Sequence, residues 1–132
     1  MGNFPSEIFN VSSCYAPEQR SVWLKFTVQQ AGLLRYSITP LNANQDHDWT
    51  LFDMTSTSCA QLATSVGASG AMARSNTWGV FGANGPTGVS TPNGGFGICN
   101  GPGNLNGPQW NADLPVAAGS SYYLHITNWL DI

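Results

Sequence analysis

Gln45-Asp46-His47-Asp48-Trp49-Thr50-Leu51-Phe52-Asp53 is the stretch that sets the fold class. From Trp49 its side chains alternate. Trp49 and Leu51 fall on one face, with Asp48, Thr50 and Phe52 on the other, and this period of two is that of a β-strand. Asp46 and Asp48 stand where a turn feeds the strand, so their oxygens are placed to converge on a hard cation. Nowhere else does the chain concentrate acid in this way.

The same period recurs on both sides. Over residues 21–28, Val22, Leu24, Phe26 and Val28 face one way and Trp23, Lys25 and Thr27 the other. Gln29-Gln30-Ala31-Gly32 turns the chain. Residues 33–39 then alternate with Leu34, Tyr36 and Ile38 inward and Arg35 and Ser37 outward, until Pro40 ends the strand. Two alternating strands around a short glycine-containing link predict a hairpin. Near the end, residues 113–116 form a short strand and Ala118-Gly119-Ser120 a turn. Tyr122, Leu124 and Ile126 then oppose Tyr123, His125, Thr127 and Trp129. Bulk on both faces predicts a central strand, covered on two sides.

Between these lie weaker signals. Residues 59–66 fit either one helical turn, through Ala60, Leu62 and Ala63, or a strand starting at Leu62. Residues 72–80 suggest a strand around Trp78. Residues 82–111 are dominated by Gly, Pro and Asn, and read either as a loop insertion or as tight Asn-Gly turns between very short strands. At 132 residues the whole is a single domain, 1–132, all-β and antiparallel.

Composition narrows the function. Charged residues are 8% of the chain, about a third of the usual share, and the net charge is −3 with four basic residues. Lys25, Arg20, Arg35 and Arg74 are scattered, so no phosphate-tracking surface exists and nucleic acid is not the partner. No apolar run is long enough to span a membrane. The low charge and high aromatic content fit an extracellular domain, and Met1-Gly2 reads as an expression start after removal of a leader. Cys14, Cys59 and Cys99 allow three pairings. Cys59 with Cys99 is the one that ties down the middle of the chain, while three separate thiols is the alternative.

Candidate sites follow from residue chemistry. Calcium takes six to eight hard oxygens, and Asp46, Asp48 and a loop carbonyl, helped by Asp113, Asn42 or Asn44, are the set this chain offers. The competing reading is that these acids cap turns and satisfy nearby amides. His47 and His125 lack metal-type spacing and read as outward strand histidines. No Gly-x-Ser-x-Gly elbow is present, and the seven acids leave few carboxylate pairs for glycoside hydrolysis, so no enzyme is expected. Trp78 and Trp110, flanked by Asn and Gly, are the best exposed aromatic pair for stacking on sugar rings.

Taken together, Val22-Trp23-Leu24-Lys25-Phe26, Gly32-Leu33-Leu34-Arg35-Tyr36-Ser37-Ile38, Asp46-His47-Asp48-Trp49-Thr50-Leu51-Phe52-Asp53 and Ala118-Gly119-Ser120-Ser121-Tyr122-Tyr123-Leu124-His125-Ile126-Thr127-Asn128 resemble a known family. They are similar to the β-sandwich modules of secreted and surface proteins of Bacteroidetes, which resemble bacterial pre-peptidase C-terminal domains. The likeness covers roughly residues 21–128, with the glycine-rich middle poorly matched. It implies a jelly-roll-like sandwich acting as a non-catalytic binding or adhesion module, with calcium in some relatives. It also implies one more strand after the one ending at Trp129. A missing last strand leaves a slot beside Tyr123, His125, Thr127 and Trp129 for a complementing strand from another chain. The partners expected are a protein or a glycan at the cell surface. A carbohydrate-binding module of a secreted hydrolase and a strand-exchanged subunit of an extracellular polymer are the alternatives.

Overall fold

The computed structural model describes residues 20–42, 45–65, 72–77, 85–97, 99–100 and 109–128. Strands are β1 (Val22–Thr27), β2 (Gly32–Leu34), β3 (Tyr36–Ile38), β4 (His47–Asp53), β5 (Met72–Thr77), β6 (Thr87–Val89), β7 (Cys99–Asn100), β8 (Trp110–Asn111), β9 (Leu114–Val116) and β10 (Ser121–Asn128), with one α-helix, α1 (Cys59–Ser65), and one 3-10 turn at Thr91–Asn93 among the described residues. The protein is all-β, as the alternating patterns require.

One five-stranded sheet runs in the order β1-β10-β4-β5-β7, and two smaller ones pair β2 with β9 and β3-β6-β8. The β4 strand is the middle of the large sheet, antiparallel to β10 and β5. Trp49, Leu51 and Phe52 within it are wholly buried. Full burial of a leucine or phenylalanine side chain stabilises by roughly 1.5–3 kcal/mol.

The two faces of this sheet carry separate cores. On one, Trp49, Leu51, Tyr122 and Leu124 pack with Val89 and Leu114, and Leu34, Tyr36, Ile38 and Val116 join them from the smaller sheets. The Trp49 indole N–H donates to Thr87 Oγ1 at 3.1 Å, and that hydroxyl donates to the Gln109 carbonyl at 2.6 Å, tying β4 to the opposite layer. Tyr36 meets the Trp49 ring edge-on at 5.2 Å. On the other face Phe52 and Met54 pack with Leu62 of α1, flanked by Trp23 and Tyr123. A capping box starts that helix: Ser58 N donates to Gln61 Oε1 at 2.8 Å and Gln61 N to Ser58 Oγ at 3.4 Å.

One expectation changes. The hairpin does not form: β1 pairs with β10 and β2 with β9, so the chain crosses between layers at residues 28–31. Period two identifies strands but not their partners. The stretch 82–111 follows the second of its two readings, supplying the very short strands β6, β7 and β8. Gly88 in β6 has φ +149°, and a Cβ there would lie within 2.2 Å of the Tyr36 carbonyl oxygen. Only glycine lets β6 approach β3 this closely.

Candidate functional site

Asp46, Asp48 and Asp113 take separate roles. Asp48 is buried on β4 opposite Thr127. Asp46 is half-buried just before β4, where desolvation lifts its carboxyl above the usual carboxylate range. Asp113 sits in the link from β8 to β9 and accepts from the Arg35 guanidinium at 2.5 Å and from Thr91 N at 2.9 Å, while its own N–H donates to Thr91 Oγ1 at 2.9 Å. Those hydrogen bonds, first the one from Arg35, hold its carboxyl below the usual range, and the same contact raises Arg35. Among the described residues no three His, Cys, Asp or Glu side chains are placed to share a metal. The three-carboxylate set is therefore not assembled. Asp113 staples the β8–β9 link to the turn at Thr91, which is the turn-satisfying role set against calcium from the start.

Cys59, at the first position of α1, carries a free, exposed thiol that donates to Tyr123 Oη at 3.4 Å. That contact, followed by burial, raises the Tyr123 phenol, and the Lys25 ammonium lies 5.7 Å from the same ring. Cys59 is free, so it does not make the expected bridge to Cys99, which lies on β7.

The complementation slot beside the last strand is closed. Tyr123, His125 and Thr127 lie on β10, which has β1 on one side and β4 on the other. His125 and Thr127 are wholly buried, and the imidazole stacks on Trp23 with ring centres 4.5 Å apart. The reading of His125 as an outward histidine is thus corrected: Trp23 covers it. Trp129 and Trp78 lie outside the described residues. Trp110 is half-buried in β8, so the aromatic pair has no described geometry.

Among the described residues the outer strands of this sheet are β1 and β7. Leu24, Leu124 and Leu51 stand directly opposite one another on three adjacent strands and share one face. Leu51 and Leu124 are buried, yet Val22 and Leu24 are each 49% exposed. The inward row of β1 thus runs out beyond the layer that covers its neighbours. Lys25 in mid-strand is the residue that could have revealed this, because edge strands carry lysine.

At the far end of the same face, His47 and Asn128 stand opposite each other. His47 Nδ1 and Asn128 Oδ1 are buried without hydrogen-bond partners among the described residues. Burial holds the His47 imidazole below its ordinary range.

Compared with protein-family models, curated proteins and solved structures, the chain matches none.

Proposed function

We propose that the chain is a non-catalytic binding and adhesion module of a secreted or cell-surface bacterial protein, a jelly-roll-like sandwich that takes its partner along β1. The observation that carries this is the exposure of Val22 and Leu24 on a face that buries Leu51 and Leu124. A chain with 8% charged residues has little surface charge to steer a partner, so apolar contact beside a strand is its main resource. The likeness of the β1, β2–β3, β4 and β10 segments to pre-peptidase C-terminal-like modules points the same way. Complementation moves from the last strand to the first.

The test uses a capped octapeptide alternating valine and threonine, titrated calorimetrically into the protein. Binding that disappears in Leu24→Lys, with the melting temperature unchanged, supports the reading. Binding indifferent to Val22→Lys and Leu24→Lys, or no binding at all, overturns it.

A further inference from the structure

We propose that Asn93-Gly94 is a self-modification site, held unreactive by its folded turn and converted to aspartate and isoaspartate when that turn opens. Four Asn-Gly pairs punctuate the chain, at Asn84, Asn93, Asn100 and Asn106. The pair at Asn93 lies wholly within the described residues.

The chemistry needs only base and water. Base removes the Gly94 amide proton, and the nitrogen attacks Cγ of the Asn93 side chain. A C–N bond forms, the Cγ–Nδ2 bond breaks, and the departing nitrogen takes a proton from water and leaves as ammonia. Water then opens the cyclic imide at one of its two carbonyls, giving aspartate or isoaspartate. Glycine suits the attack because no side chain shields its nitrogen. Asn93 is exposed, so base and water reach it.

The folded turn withholds what the attack requires. Gly94 N donates to Thr91 O at 2.9 Å, so the proton that must leave is held in a hydrogen bond. Ring closure also has to eclipse Asn93 Cβ with Gly94 N about the Cα–C bond, a ψ roughly 90° from that of a 3-10 turn. The turn is fixed from several sides. Asn93 N donates to Ser90 O at 3.2 Å and to Ser90 Oγ at 3.3 Å. Gly95 N donates to Ser90 O at 3.0 Å, and Ser90 N donates to Asn111 O on β8 at 2.9 Å. Asp113 accepts from Thr91 N and from the Arg35 guanidinium, which ties the start of the turn to β2–β3. Conversion therefore waits for a local opening that releases the Gly94 amide.

Isoaspartate lengthens the main chain by one carbon. A Cβ on Gly95 would already collide with the carbonyl oxygens of Asn111 and Ser90, so the next residue has no room to shift. An opening that ends in isoaspartate is thus made permanent.

The test incubates the full chain at mildly alkaline pH, with and without denaturing urea. Tandem mass spectrometry of the chymotryptic peptide 82–96 then reads conversion at Asn93. Conversion in urea is expected, with the folded chain about 30-fold slower and Asp113→Asn raising the folded rate about fivefold. Hydrogen exchange at the Gly94 amide is a second measure that needs no variant. The same opening frees that proton, so its protection should match the slowing of conversion within about threefold. Equal rates with and without urea, no conversion in urea, or a slowing unrelated to Gly94 protection overturns the proposal. So does a folded Asp113→Asn protein whose Asn93 converts no faster than in the native chain.

Discussion

Leu24 and Leu124 are direct cross-strand neighbours on one face, and truncating each to alanine should cost very different amounts. Leu124 is 7% exposed and packs among Trp49, Leu51 and Tyr122. Its replacement loses the transfer energy of the removed atoms and leaves a cavity, so Leu124→Ala should destabilise by roughly 3 kcal/mol. Leu24 is 49% exposed. About half its side chain is already in water, and water fills the space left behind, so only part of the transfer term is lost and no cavity term is added. Leu24→Ala should cost roughly 1 kcal/mol. Urea unfolding of both variants, with unchanged slopes, gives the two differences directly. Comparing variants also cancels most of the uncertainty about the unfolded chain. Should Leu24→Ala cost as much as Leu124→Ala, the β1 row is covered in the free protein and no docking surface exists there.

Further outcomes are expected. Asp46 and His47 give opposite pH dependences. The folded carboxyl of Asp46 binds its proton more tightly than the unfolded one, so stability falls as pH rises from 3.8 to the raised value, and Asp46→Asn should gain stability at pH 7 but not at pH 3. The folded imidazole of His47 binds its proton less tightly, so stability rises with pH up to 6.5, and urea midpoints of His47→Gln should lose that slope. Asp113→Asn should lower the melting temperature, because Arg35 and Thr91 N lose a charged acceptor. Chelator treatment tests a metal at Asp46 and Asp48: a marked drop in melting temperature supports one, and an unmoved melting temperature dismisses it. Gly88→Ala, whose Cβ would fall within 2.2 Å of the Tyr36 carbonyl oxygen, should destabilise by roughly 2 kcal/mol or more; a thermally unchanged variant would show that β6 and β3 have room to part.

The strands that alternate over five or more residues were legible, as were β9 at residues 113–116 and β5 within residues 72–80, while the shortest strands were not. Alternation over residues 21–28, 33–39, 49–53 and 122–128 marks β1, β2 with β3, β4 and β10 within a residue or two of their bounds. Strands β6, β7 and β8 are two or three residues long, too short to show a period, and glycine-rich stretches hide them further. Capping chemistry was present for α1 in Ser58 and Gln61, but their reciprocal bonds are visible only once the helix is built. Pairing was the least legible level. Val22 opposes Ile126, more than a hundred residues away, and nothing local in either segment states that they meet.

The site was legible in its parts and misplaced in its position. Bulk on both faces of residues 122–128 marks a central strand, and a central strand has no open side, so that signal already excludes a docking slot there. The open edge then has to be sought on a strand whose outer side tolerates charge. Among the alternating strands, β1 carries Lys25 in its middle, whereas β10 carries no lysine, and long edges are commonly guarded by that residue. Tyr122 and Leu124 are buried, while Val22 and Leu24 of the same face are half in water. The position of Lys25 and the exposure of that row thus locate one edge by two independent routes, a charge that resists burial and an apolar row that has not achieved it.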